Sequence, residues 1–215
     1  MSQQGLVLFD ISWSGFLFGA LSYIGTSMDA IEAITQRVSV AQLTGPDITE
    51  VQKTTLFQAA LRAPDHGWIR PSRYLTIEGE ARAKLGEIFL QQQEAKQVLS
   101  DEKREKTKRM LLRAPLVIVA VTRLVDHPKV PREEQLLSTG SGVQNMLTAA
   151  YAMGLGSIWR TGDMAECEGV KTALGLMNNE VITGFLYVGH ANTSLKSVPE
   201  MNINEFVASW TGETI

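Results

Sequence analysis

One cysteine, Cys167, is present among 215 residues, so no internal disulfide can form. The lone thiol fits a reducing compartment, and the cytoplasm is the expected location. Histidine is almost as scarce: His66, His127 and His190 lie far apart in the chain and give a zinc cluster no support. Basic residues are not in excess. Twenty Lys and Arg stand against 23 Asp and Glu, a net charge of −3, which leaves nothing to neutralise a phosphate backbone. Nucleic acid is therefore not an expected partner. Apolar runs stop short of the roughly 20 residues that a spanning helix requires, so no membrane span is expected. What remains, 44% hydrophobic and 20% charged, is the composition of an ordinary globular protein.

Residues 1–27 differ from the rest. They hold one charged residue, Asp10, and an apolar stretch from Phe16 to Ile24 broken by Gly19 and Ser22. A secretory signal opens with Lys or Arg, whereas the first basic residue here is Arg37. Met28 is followed at once by an amphipathic segment with Ile31 and Ile34 at helical spacing. The simplest expectation is that translation starts at Met28, with 1–27 a mis-called extension; a signal-like segment or a structured extension are the other readings. Residues 28–215 are expected to form one domain.

From Met28 the pattern alternates. Residues 48–63 carry apolar positions at helical intervals and stop at Pro64. Tyr74–Ile77 reads as a short strand. Residues 80–113 read as helix; the charged run from Asp101 to Arg113 interleaves both signs, as a solvated helix face does. Leu116–Val121 is continuously apolar and β-branched, which predicts a strand buried on both faces. Residues 133–155 predict a long helix, and Val181–Val188 a second buried strand. Such alternation predicts an α+β or α/β sandwich. The long helix is rich in small residues, Gly140 and Gly142 among them. Glycine inside a helix costs about 0.5–1 kcal/mol against alanine, so close approach of something is implied. Packing within one chain and a symmetric dimer seam both fit.

Chemistry is narrowed by elimination. There is no Gly-x-Ser-x-Gly nucleophile elbow and no Gly-x-x-x-x-Gly-Lys-Ser/Thr phosphate loop. Gly154-Leu155-Gly156-Ser157-Ile158-Trp159 begins like a dinucleotide fingerprint, but Trp159 occupies the third glycine position and the segment follows a helix. What is left is Arg37, Arg62, His66, Arg70, Arg73, Trp159 and Arg160, grouped near the ends of elements. Guanidinium, indole and imidazole groups together suit an anionic ligand with a planar ring, although each cation taken singly also reads as an ordinary surface residue.

Four stretches resemble one known family. They are residues 28–39, ending Gln36-Arg37-Val38-Ser39; Arg62-Ala63-Pro64-Asp65-His66; His127-Pro128-Lys129-Val130-Pro131-Arg132; and Gly154–Gly162 followed by Gly184–Gly189. Together they are similar to the FMN-dependent nitroreductases, in particular the short single-domain NAD(P)H nitroreductase branch. The resemblance implies a nitroreductase-like three-layer α+β sandwich, with a central, mostly antiparallel sheet flanked by helices. It implies a homodimer with FMN at the interface, NAD(P)H as electron donor, and ping-pong transfer to a nitro compound, quinone or other small-molecule acceptor. Within it, Arg37, Val38 and Ser39 would contact FMN, with Arg37 on the phosphate. Arg62 and His66 would come from the partner subunit, and Trp159, Arg160 and Thr161 would line the other flavin edge. Gly154, Leu155, Gly156, Ser157 and Ile158 would face the nicotinamide cofactor. No catalytic side chain is expected beyond this, since a flavin carries its own redox chemistry.

Departures from the family pattern sit near the same site. Val38 and Gln42 stand where arginines are common, while Arg70 and Arg73 add positive charge to a neighbouring loop. This predicts that Arg70 or Arg73 lies near the flavin or its pocket mouth, with Lys196 a further candidate for the phosphate. A flavin-binding or interaction protein with little turnover is the alternative that Val38 and Gln42 suggest. A dehalogenating or bond-cleaving flavoenzyme would share the fold.

Overall fold

The computed structural model describes residues 28–212; the readings made for 1–27 lie outside the described residues. Twelve elements follow in order: α1 (Ala30–Gln36), β1 (Leu43–Thr44), α2 (Glu50–Ala60), β2 (Ser72–Glu78), α3 (Glu80–Glu94), α4 (Asp101–Lys108), β3 (Leu116–Arg123), α5 (Arg132–Ala152), β4 (Gly156–Arg160), α6 (Asp163–Glu166), α7 (Glu168–Ala173) and β5 (Glu180–Ala191). Short 3-10 turns at His66–Trp68, Met110–Arg113 and Ile203–Glu205 complete the chain.

The five strands form one sheet in which β3 lies between β2 and β5, while β1 and β4 both pair with β5. Every pairing is antiparallel. Because strand side chains alternate faces, β3 feeds two cores at once. Val117, Val119 and Val121 join Leu85, Phe89, Phe185 and Tyr187 on the α3 side. Leu116, Ile118 and Ala120 join Leu56, Val143, Met146 and Leu186 on the α2 and α5 side. This is the expected three-layer α+β sandwich, and it explains why β3 has no polar face.

Local chemistry sets the helix limits. Thr49 and Gln52 form a reciprocal capping box that starts α2. The carboxylate of Asp29 accepts from Ile31 N at 2.9 Å at the start of α1, and Ser100 caps α4. Buried Gln135 on α5 ties down the loop before it, exchanging hydrogen bonds with Val125 N and O and donating to Val130 O. That loop contains the His127–Arg132 motif, whose Val130 carbonyl thus helps to seat α5.

The small residues of α5 are decided in part by contacts within the chain. A Cβ on Gly142 would stand 2.4 Å from the Tyr74 hydroxyl and 3.1 Å from Ala60 O. Tyr74 and α2 therefore require glycine there, whatever else α5 touches. Gly140 is looser, with the Trp159 ring 3.5 Å from the position of its Cβ.

Among the described residues no helix is long and apolar enough to cross a membrane. No cluster of His, Cys, Asp and Glu among them could hold a metal ion.

Candidate functional site

β4 and its flanks collect the first group of site residues. Val40 N donates to Ser157 O at 3.0 Å, which lays the segment after α1 along the free edge of β4. Arg37, Val38 and Ser39 thereby come beside the strand that carries Trp159 and Arg160. Arg37 is half-buried, and its Nη1 is sealed from solvent without a hydrogen-bond partner among the described residues. A sealed donor left unpaired is unfavourable by about 1–3 kcal/mol, and an anion at Nη1 would relieve it.

Alternation along β4 sends consecutive residues to opposite faces. Trp159 lies on the α5 side, where its Nε1 donates to Thr183 O at 3.4 Å. Arg160 lies on the α3 side and lines a cavity of about 670 Å³. Lys106, Arg113, Thr161, Phe185 and Tyr187 share that cavity. No carboxylate among the described residues pairs with Lys106, Arg113 or Arg160. Burial pushes the Tyr187 phenol up, and the charges of Arg113 and Arg160 pull it back in part. Cations over an aromatic floor make this cavity suited to a planar, anionic ligand. The sequence reading missed Lys106, Arg113 and Tyr187. Lys106 and Arg113 lie within a run read as solvated: Lys106 is exposed and Arg113 half-buried, and both border the cavity. A second cavity of about 650 Å³ adjoins the first at Thr161, Gly162 and Asp163 and reaches Thr183.

Thr183 is the extra residue of a bulge in β5, since Ala120 pairs with Gly184 and Val121 with Ile182. The bulge turns Thr183 O toward Trp159. Gly184 then has to lack a side chain, because a Cβ would sit 2.0 Å from Trp159 Nε1 and 3.0 Å from Arg160 O. Gly184→Ala should displace Trp159 and destabilise the fold by about 2 kcal/mol. Urea denaturation of the variant, read by circular dichroism, checks the loss.

A second group gathers at the end of α2. Arg62, Asp65, Trp68, Arg70 and Ser138 line a groove of about 540 Å³. His66 stands beside it, with Nδ1 2.5 Å from Glu134 Oε2. Trp68 and Arg70 have φ of +55° and +52°, a conformation that L residues rarely adopt. The Arg70 guanidinium stacks 5.8 Å above the Trp68 ring, and that indole is 79% exposed. Of the two arginines expected to compensate for Val38 and Gln42, Arg70 lines the groove. Arg73 does not: its Nε and Nη2 bind both oxygens of buried Glu180, at 2.9 and 2.6 Å. Its guanidinium is paired with Glu180 while the side chain stays 39% exposed, and Arg73 is not among the residues lining the groove. Lys196 lies in the exposed segment after β5.

Gly154–Ile158 likewise has a packing role. Gly154, with φ of +73°, ends α5 in a left-handed cap, its N donating to Tyr151 O while Leu155 N reaches Ala150 O. Gly156 admits Leu43 and Val40 at 2.6 and 3.2 Å from its would-be Cβ. Leu155, Gly156 and Ser157 are buried, leaving Gly154 and part of Ile158 as the surface of the segment expected to meet the nicotinamide cofactor.

The family model described as the nitroreductase family matches residues 34–190. The chain belongs to the nitroreductase family. An Escherichia coli K12 protein named "Putative NAD(P)H nitroreductase YdjA" is 37% identical over 177 residues, covering 82% of this chain and 94% of that protein. Among solved structures, a nitroreductase-like family protein from Bacillus cereus superposes with a TM-score of 0.74 at 24% identity, over 88% of this chain and all of that one. A nitroreductase-family structure from Desulfovibrio desulfuricans, described as a complex with FMN, has a TM-score of 0.66 at 19% identity over 87% of this chain and all of that one. These structural likenesses concern the fold, and the sandwich described above is the nitroreductase fold.

Proposed function

We propose that this member of the nitroreductase family is an FMN-dependent oxidoreductase of the cytoplasm, residues 28–215 forming its working unit. It takes reducing equivalents from NAD(P)H and passes them, in ping-pong fashion, to a nitro compound, a quinone or a similar small acceptor. The observation that carries the reading is Arg37: a half-buried side chain whose Nη1 is sealed and without a partner among the described residues, on the segment that borders β4, the strand whose Arg160 lines a cation-rich cavity. FMN fits that arrangement because its phosphate supplies the missing acceptor and its planar ring suits the cavity's aromatic floor. When bound, FMN supplies the electron transfer itself.

The chain's own residues then divide the remaining work. Arg37 and Ser39 hold the phosphate end, with Val38 beside them and Lys196 as a further cation from the segment after β5. Arg160 and Thr161 take one edge of the ring, with Trp159 packed behind the strand. The charge of Lys106, Arg113 and Arg160 favours a dianionic cofactor and favours its more negative reduced form over the oxidised one.

A second copy of the chain completes the site in this reading. Arg62, His66 and Arg70 form a cluster of their own, away from the cavity of Arg160, as residues offered to another subunit's ligand would be. Apolar surface supports the homodimer as well. Residues 191–212 are exposed throughout, although they include Met201, Ile203, Phe206 and Trp210, the last 77% exposed. Ile31 and Ile34 on α1 and Leu137 on α5 are also uncovered. Burying such side chains contributes about 1.5–3 kcal/mol each, and a second copy is the partner that supplies the cover.

Purified protein should be yellow, with flavin absorbance that NAD(P)H bleaches under anaerobic conditions and a quinone or nitroaromatic restores. Bound flavin that NAD(P)H leaves oxidised would favour a flavin-binding protein with little turnover. A colourless protein that takes up no added FMN would refute the reading.

A further inference from the structure

We propose that Glu134 is the positioning residue of His66: it fixes which ring nitrogen carries the proton and which is offered outward. This rests on the reading above, in which His66 meets the flavin held mainly by the other subunit.

The contact is direct, Nδ1 of His66 lying 2.5 Å from Oε2 of Glu134. A carboxylate can only accept, so Nδ1 carries the hydrogen. In the neutral ring, Nε2 is then the lone-pair nitrogen, and it lies on the side of the imidazole away from Glu134. The neighbouring carboxylate does not compete, because Asp65 Oδ2 accepts from Arg70 N at 2.7 Å.

α5 holds Glu134 in place. The residue lies in the first turn of the helix, where the helix dipole favours a negative charge. One turn on, Ser138 Oγ donates to Pro64 O at 2.8 Å, and Thr139 Oγ1 meets Ser72 Oγ at 3.1 Å. Residues 134 and 138 are four apart and share a helix face. The start of α5 therefore grips the 64–72 loop at both ends and at the imidazole between them. The grip sets a loop whose residues 67, 68 and 70 all have positive φ.

Both side chains remain accessible, His66 at 56% and Glu134 at 43%. The imidazole is held at Nδ1 while more than half of the side chain stays open. A ring that is fixed on one side and open on the other is arranged to present a single nitrogen to something outside its own subunit.

The test uses full-length dimer without cofactor, labelled with ¹⁵N at histidine and observed by NMR at pH 8. Wild-type His66 should show the Nδ1–H form, Glu134→Ala should lose it, and Glu134→Gln, whose amide oxygen still accepts, should restore it. FMN titration of the same proteins should show His66→Ala and Glu134→Ala each weakening binding by about tenfold. The double variant should be no worse than either single one. Glu134→Ala that leaves the ring signals and FMN affinity untouched, while His66→Ala weakens binding, would overturn the proposal and leave the flavin site standing. No effect of His66→Ala on FMN would overturn the placement of His66, and this proposal with it.

Discussion

Replacing Glu180 with alanine should remove about 3 kcal/mol of folding stability, the lower end of what breaking a buried ion pair costs. Glu180 is 3% exposed, and its two oxygens are occupied by Arg73 and by Met177 N at 3.0 Å. Alanine leaves the Arg73 guanidinium facing a hole at the end of the sheet where β2, β3 and β5 meet. Arg73 is partly solvated, which keeps the loss from reaching the top of the range. The pair also predicts a pH signature. Hydrogen bonding from Arg73 holds the Glu180 carboxyl below its ordinary value, against the upward push of burial, with Met177 N–H helping. A carboxyl depressed in the folded state contributes stability above its unfolded pKa of 4.5 and loses it as the pH falls through the folded value. The stability gap between wild type and Glu180→Gln should therefore be flat from pH 7 to pH 5 and close below about 4.5. Urea denaturation at four or five pH values measures it. Arg73→Met combined with Glu180→Leu should recover most of the loss, because an apolar pair of similar volume removes the desolvation penalty with the charge. A gap that persists unchanged to pH 3 would show that the pair contributes nothing electrostatic.

The sequence disclosed the parts of the molecule that depend on periodicity. Leu116–Val121 is so uniformly apolar that burial on two faces was the only economical reading, and the two cores on either side of β3 bear that out. The stop before Pro64 and the length of α5 were legible for the same reason. What was not legible depends on which residues meet across the sheet. Glu180 precedes a buried strand and looks like an ordinary surface acid until Arg73, 107 positions earlier, is brought against it. Lys106 and Arg113 belong to a run of mixed charge that also holds buried Thr107 and Leu111. Only the fold brings Lys106, on α4, and Arg113, in the turn after it, to the cavity that Tyr187 also lines. The bulge at Thr183 leaves no periodic mark at all. Motif similarity drew attention to Arg37 and Gly154–Trp159, yet it could not separate a glycine that terminates a helix from one that admits a ligand. Geometry decides that: Gly154 has the positive φ of a helix cap, and at Gly156 the side chains of Leu43 and Val40 occupy the space a Cβ would need.

Arg37→Ala should weaken FMN binding by roughly ten- to hundredfold, equal to the about 1.5–3 kcal/mol that a hydrogen-bonded charge contributes. The expectation is unusual in having an opposite sign for the protein without cofactor. Because Nη1 is sealed and has no partner among the described residues, that nitrogen is unfavourably placed until an anion arrives. Arg37→Met, which keeps the apolar stem and deletes the charge, should leave the melting temperature of the cofactor-free protein unchanged or slightly higher. Adding saturating FMN should raise the melting temperature of wild type well above that of the variant, since stabilisation follows the ratio of ligand concentration to Kd. Arg37→Lys should fall between them: the charge stays, but the planar fork that pairs two donors with one phosphate is lost. Inorganic phosphate at high concentration should protect wild type against heat and leave Arg37→Met unaffected, which separates a phosphate contact from one to the ring. Equal FMN affinity in wild type and Arg37→Met would remove Arg37 from the site, and the sealed Nη1 would then need another acceptor to explain it.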